Sequence, residues 1–387
     1  MSKNEFAGGG AGAWTLAGAG VLGLTLAAAL DGADAGAAAS QDWPPFVLVT
    51  GLLLVGLVAD EGGLFAAAGR ALARVSRHGV VLFGGAVALV AGVTSLLNLD
   101  TSVAFLTPVL VYAAASRGTD EAPLLYGCLL ISNAASLLLP GSNLTNLIVL
   151  GQLRLSGARF LGEVAPAWLV SVLLTAGVVA VAERRSLRTT AGPVPDREPR
   201  GRARPGYALA GVSVSAVTVL VLALRSPAVP VMAVGAAAAG AGILRGRLSF
   251  PKVVQILGLP LLVGLFGVAV ALGTVGRKWS GPATALAHLD SWATAAVAAM
   301  AAVVVNNLPA ASLLAARVPP RPFALLVGLD IGPNLFVTGS LAWILWLKAA
   351  SSAGASPSIA KASRLGLVAV PLAMGGALGV LALAGTR

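Results

Sequence analysis

Charge is what this sequence has least of: 11% of its 387 residues are Asp, Glu, Lys or Arg, against about 25% in a soluble domain. A chain this poor in charge cannot clothe a soluble fold of its size. It has one cysteine, Cys128, which excludes a disulfide framework and a multi-thiolate metal site. Its two histidines, His78 and His288, lie far apart in sequence and give a His-based metal centre little support. No phosphate-binding Gly-rich loop, nucleophile elbow or metal-ligand cluster is present. The sequence therefore points to no enzyme, no catalytic residue, no cofactor and no ATP hydrolysis by the chain itself.

Hydrophobic residues make up 57% of the chain, and mean hydropathy is +0.89. Apolar runs of about 17–25 residues recur along the whole length, the signature of transmembrane helices. Spans are expected at about 11–30, 46–69, 122–150, 164–182, 207–223, 229–244, 253–275, 322–347 and 362–384. The run at 13–30 follows Lys3 and precedes "ADAGAAAS", which a cleavable signal peptide could share. A retained helix fits better, because the run is long and Lys3 is offset by Glu5.

The net charge of +11 comes from Arg and Lys in short loops between spans. That pattern is the positive-inside signal rather than a nucleic-acid footprint. Seven arginines crowd positions 184–204 among Pro and Gly, as in a cytoplasmic linker. It divides the chain into a first membrane repeat (1–183), a basic linker (184–205) and a second repeat (206–387).

Two further apolar stretches, about 79–116 and 282–316, are interrupted by polar residues and are expected to enter and leave on one face. Each precedes a span that is itself interrupted. The first half gives "SLLNLDTSVAFLTP" (95–108) and "ISNAASLLLPGSNLTN" (131–146); the second gives "VVVNNLPAASLL" (303–314) and "GLDIGPNLFVTGS" (328–340). The expected fold is an all-α integral membrane protein with about nine spanning helices. It is an inverted-repeat secondary transporter with two re-entrant hairpins (79–116 and 282–316) and two broken helices (122–150 and 322–347).

Unwound backbone at membrane depth must face protein or a water-filled cavity. Gly141, Pro309, Gly332 and Pro333 are the expected helix breakers. Around them stand the candidate solute- and ion-binding residues: Asn98, Asp100, Thr101, Asn133, Ser136, Ser142, Asn143, Thr145, Asn146, Asn306, Asn307, Asp330, Asn334, Thr338 and Ser340. Asp100 and Asp330 sit inside breaks and are the candidates for an ion-coupled carboxyl. Isolated Ser, Thr and Gly residues elsewhere read as close-packing positions. Cys128 reads as a packing residue, and Asp60 and Glu61 as interfacial charges.

"LDIGPNLFVTGSLAWILW" (329–346), with "AASLLLPGSNLTN" (134–146), "NLDTSVAFLTP" (98–108), "VNNLPA" (305–310) and "DEGGLF" (60–65), resembles the ArsB-type arsenite/antimonite permeases. These belong to the ion transporter superfamily, beside citrate/dicarboxylate carriers. The resemblance implies a plasma-membrane (inner-membrane) carrier exporting trivalent arsenic or antimony hydroxides against proton entry. Its implied partners are the lipid bilayer, a small inorganic solute and a coupling ion, the proton or else sodium. A homodimer and a soluble ATPase subunit belong to the same picture, and nucleic acid does not. Three features depart from the pattern: Asn133 stands where an acid is usual, a proline is displaced to Pro140, and the first half has one helix fewer before its hairpin. A sodium-coupled carboxylate or anion carrier and a sodium–proton antiporter remain the alternatives.

Overall fold

The computed structural model describes residues 5–75, 78–151, 153, 155–188 and 206–385. All regular elements among the described residues are helices. Two long ones come first, α1 (Glu5–Leu30) and α2 (Gly32–Glu61), then a short α3 (Leu64–Val75). A hairpin follows, α4 (Gly79–Leu96) and α5 (Leu99–Ser116), and then a broken helix whose parts are α6 (Ala122–Ala135) and α7 (Leu144–Gly151). Next come α8 (Gly157–Ala182) and the single turn α9 (Arg184–Leu187). The rest of the expected basic linker, 189–205, lies outside the described residues.

The second half holds α10 (Tyr207–Ala223), α11 (Ala228–Leu244), α12 (Phe250–Leu257), α13 (Leu259–Lys278) and α14 (Gly281–His288). Its hairpin is α15 (Ser291–Val305) and α16 (Asn307–Leu314). Its broken helix is α17 (Pro322–Ile331) and α18 (Leu341–Ser352), and α19 (Ile359–Leu383) ends it.

The pairings of these helices repeat across the halves. α1 lies along α13 as α11 lies along α2; α4 packs on α6 as α15 packs on α17; α5 packs on α18 as α16 packs on α7. The long helices α8 and α19 pack on each other. α10 has no counterpart in this scheme, and it is the additional helix by which the second half exceeds the first. The α1–α13 and α2–α11 crossings are close because glycines meet there. A Cβ on Gly264 would come within 2.6 Å of the Leu16 backbone, and one on Gly51 within 2.8 Å of the Met232 backbone. Without a hydrophobic drive between helices in lipid, such close backbone approach is what joins them.

Several boundaries differ from the sequence expectation. The 46–69 run is two elements, because Gly62 and Gly63, the latter at φ +79°, end α2. The following α3 buries Phe65, Gly69 and Ala73 on one face while Arg74 is exposed, the amphipathic spacing of a surface helix. The 253–275 run is likewise divided by Gly258 in the left-handed conformation. Both hairpins turn at the polar residues expected, but α4 and α5 have 18 residues each. At 1.5 Å per residue that is about 27 Å, so each arm is long enough to cross a bilayer core. Only the second hairpin is short, with arms of 15 and 8 residues. Seven helices among the described residues are long and apolar enough to span, both arms of the first hairpin among them. Shorter apolar helices such as α6, α10, α11, α15 and α17 complete the set.

Candidate functional site

The first break begins where α6 stops at Ala135. Ser136 donates to the Asn133 carbonyl (2.8 Å), the side chain competing with the helix that precedes it. Pro140–Ser142 form a single 3-10 turn, and Ser142 lies against the Ser136 and Leu139 carbonyls while accepting from the Leu139 N–H (3.1 Å). Asn146, in the first turn of α7, reaches back to the Ser136 and Leu139 carbonyls (2.7 and 3.1 Å). The carbonyls at the end of α6 are taken by α8: Trp168 donates to Ala135 O at 3.1 Å and Ser171 approaches Ala134 O at 3.4 Å. These partners supply what lipid cannot.

The second break is held in the same manner by other residues. Gly332–Leu335 form a 3-10 turn containing Pro333, whose carbonyl accepts from the Trp343 indole (2.8 Å). Asn334 donates to the Leu130 carbonyl of α6 (2.9 Å). The second hairpin closes over this segment: Asn306 donates to Thr338 O (3.2 Å), the Asn307 N–H to Gly339 O (2.9 Å), and Thr338 to Val303 O.

The two breaks exchange side-chain bonds. Asn143 and Thr145 both donate to Asp330 Oδ1, at 2.9 and 2.6 Å. Ser340 donates to Asn133 Oδ1 at 3.2 Å. The exchange is reciprocal, since Asn143 follows Asn133 by ten residues and Ser340 follows Asp330 by ten. One arm carries a carboxylate where the other carries an amide.

What is left unpaired defines what the site can hold. Asp330 is fully buried, and its Oδ2 has no hydrogen-bond partner among the described residues. The same is true of Asn146 Oδ1 and Asn334 Oδ1 at the breaks, and of Thr94 Oγ1, Asn98 Nδ2 and Thr101 Oγ1 at the first hairpin tip. Native proteins rarely leave buried polar atoms unpaired. Six of them sit on the two breaks and the first hairpin tip.

The candidates are not all gathered equally. Asn133, Ser136, Ser142, Asn143, Thr145, Asn146, Asp330 and Ser340 form one buried network, and Asn334, also buried, bonds beside it to the Leu130 carbonyl. Asn98 caps α5, accepting from the Thr101 N–H at 2.6 Å, and Ser95 beside it approaches Ala135 O at 3.4 Å. Asp100 is half-buried and makes none of the network's bonds. At the second tip, Asn307 is buried, Asn306 half-buried and Thr338 exposed. Pro309 does not break its hairpin. It lies in the first turn of α16, where proline is tolerated, and Asn306, at φ +76°, makes the turn instead. The indoles of Trp168 and Trp343 and the hydroxyl of Thr94 were not singled out in the sequence; only a tryptophan inside an apolar span hints at an indole donor needing a partner.

The family model for citrate transporters (CitMHS) matches residues 10–350. The arsenical pump membrane protein of Escherichia coli is 24% identical over 338 residues, covering 79% of this chain and 78% of its own. The protein of that name from Yersinia enterocolitica is 24% identical over 359 residues, covering 84% and 83%. Among solved structures, the YdaH transporter of Alcanivorax borkumensis aligns at TM-score 0.52 and 15% identity, covering 91% of this chain and 87% of its own. At that identity the likeness speaks for the fold.

Proposed function

The chain belongs to the CitMHS family of citrate transporters, and from that premise we propose that this multi-pass membrane transporter exports arsenite or antimonite in exchange for protons. The observation that carries the reading is the setting of Asp330: one carboxylate oxygen held by two neutral donors, the other free, and the whole side chain buried. Asn, Ser and Thr surround it, and no Lys or Arg among the described residues bonds to the network. A neutral hydroxide such as As(OH)3 would donate its hydroxyls to the free oxygens of Asp330, Asn146 and Asn334. A proton on the free Asp330 oxygen would take the same position. Solute and proton would then compete for one group, and each would shift the balance between inward- and outward-open states by the difference in its affinity for them.

The family description and the relatives' names point to different solutes, and the site's charge favours the neutral one in our reading. A citrate-like anion would bring several negative charges beside an unpaired carboxylate with no cation to offset them, at a cost of several kcal/mol for each. Sodium-coupled carboxylate transport is therefore the second reading, favoured by the family description alone. In the first reading, the two repeats supply one broken helix and one hairpin each to a moving unit, and α1, α2, α11 and α13 form the frame.

The test is arsenite uptake into everted membrane vesicles under an imposed pH gradient, with Asp330→Asn beside the parent. Expected is gradient-dependent uptake that falls at least about tenfold in the variant, about 1.4 kcal/mol or more of lost coupling. No uptake above empty vesicles by folded protein would remove the metalloid assignment, and sodium-driven citrate uptake would then be measured.

A further inference from the structure

A second cluster plays no part in that site. Asp42, in α2, is 1% exposed, and its Oδ2 has no hydrogen-bond partner among the described residues. Facing it are the Ser312 hydroxyl of α16 and the Arg277 guanidinium from the last turn of α13. Arg277 is committed elsewhere. It donates to Gln41 Oε1 and to Gly273 O of its own helix (3.2 Å), while Arg317 holds its carbonyl at 2.6 Å. Asp34 is the other carboxylate near the guanidinium, and Lys278 beside it pairs with Asp31 at 3.2 Å. Gln41 in turn donates to Ala315 O at the end of α16 (3.0 Å) and to Ile148 O of α7 (3.3 Å). One amide side chain on α2 thus joins four helices: α2 and α13 of the frame, and α7 and α16 of the hairpin-and-break assembly.

A buried carboxylate that faces an arginine without bonding to it is costly. Such a group is retained most economically if it is the arginine's partner in another arrangement. We propose that Gln41, Asp42 and Arg277 form a two-position latch between the frame and the moving unit. In the closed position, the one described, Arg277 holds Gln41 and Gln41 holds α7 and α16. In the open position Arg277 passes to Asp42 Oδ2, a charge-assisted bond replaces the one to the amide, and Gln41 releases the Ile148 and Ala315 carbonyls. α7 and α16 are then free to shift against α2 and α13. Two discrete hydrogen-bonded arrangements of a packed interface are what a switching contact requires. The latch rests on the reading of α7 and α16 as moving parts, and it is independent of which solute is carried.

The test uses thiol accessibility, which needs no solute. In a Cys128→Ser background, Ala315→Cys places a reporter at a buried position of the latch, and purified protein in liposomes is labelled by a membrane-impermeant methanethiosulfonate. Opening the latch exposes the reporter. Gln41→Leu, which removes the closed-state bonds, is expected to raise the labelling rate about fivefold, corresponding to about 1 kcal/mol in the opening equilibrium. Asp42→Asn, which weakens the open-state acceptor, is expected to lower it. The diagnostic is that Asp42→Asn lowers the rate only while Arg277 is present and changes nothing in an Arg277→Gln background, whereas mere relief of a buried carboxylate would lower it in both. Changes in the same direction, or none, overturn the latch. Gln41→Met and Asp42→Ser replace any variant that does not elute as folded protein. Failure of arsenite uptake would leave this result standing, and failure of the latch would leave the solute site untouched.

Discussion

Asp330 is the residue on which most of the site turns, and its two donors are the means of testing that. Thr145→Val keeps the side-chain volume but removes the hydroxyl 2.6 Å from a buried carboxylate oxygen. The expected loss of stability is about 1–3 kcal/mol, as for a buried charged acceptor deprived of a donor. In the double variant with Asp330→Asn, that loss should shrink by about 1 kcal/mol or more, because the group that needed the donor is gone. Thermal unfolding in detergent measures the cycle, and strict additivity would mean that the hydroxyl stabilises something other than Asp330. The sequence marks Asn143, Thr145 and Asp330 as polar intruders in apolar runs. It does not show that both donors serve one acid 185 residues or more away, because no local spacing encodes a bond between halves. Gln41 and Asp42 escape for a different reason: Pro44 and Pro45 follow them and read as the start of a span, whereas α2 continues through both prolines from Gly32.

Among elements, the breaks and hairpin tips are the most legible, since Gly, Pro and Asn within apolar runs leave few other readings. Arm lengths are less so, because an apolar stretch looks alike whether it crosses fully or turns back. The indole caps show only as tryptophans in apolar spans, their acceptors hidden, Trp168 being 33 positions from the carbonyl it serves. That cap can be removed alone. Trp168→Phe keeps the ring but leaves Ala135 O with no indole donor at the end of α6. A destabilisation of about 1–3 kcal/mol is expected, with faster amide exchange across 133–143 than in the parent. Unchanged exchange there would show that water or a neighbouring donor already satisfies the carbonyl.

For the whole molecule, α2 is pinned at both ends, by Lys252 of α12 with Glu61 and by Lys278 of α13 with Asp31 (3.2 Å). Exposed pairs of this kind are worth little individually; the glycine crossings carry more. Gly51→Val would drive a branched side chain into the Met232 backbone, 2.8 Å from where a Cβ would lie. Forcing α2 and α11 apart is expected to cost about 1–3 kcal/mol or more, seen as a lowered unfolding temperature and loss of transport. Gly84→Val, at a glycine with no atom within 4 Å of a Cβ, is the control expected to change neither.

The exchange of broken helices between halves has a consequence for how the protein is made. α7 packs on α16, and α18 packs on α5. During synthesis, α7 leaves the ribosome more than 150 residues before the helix that covers it, and its Thr145, with Asn143 just ahead of it, must wait without Asp330. The nascent first half is therefore a half-finished object with polar groups facing hydrocarbon. Its survival depends on how quickly translation delivers the second half, so the pace of the ribosome over residues 152–330 becomes part of the folding programme.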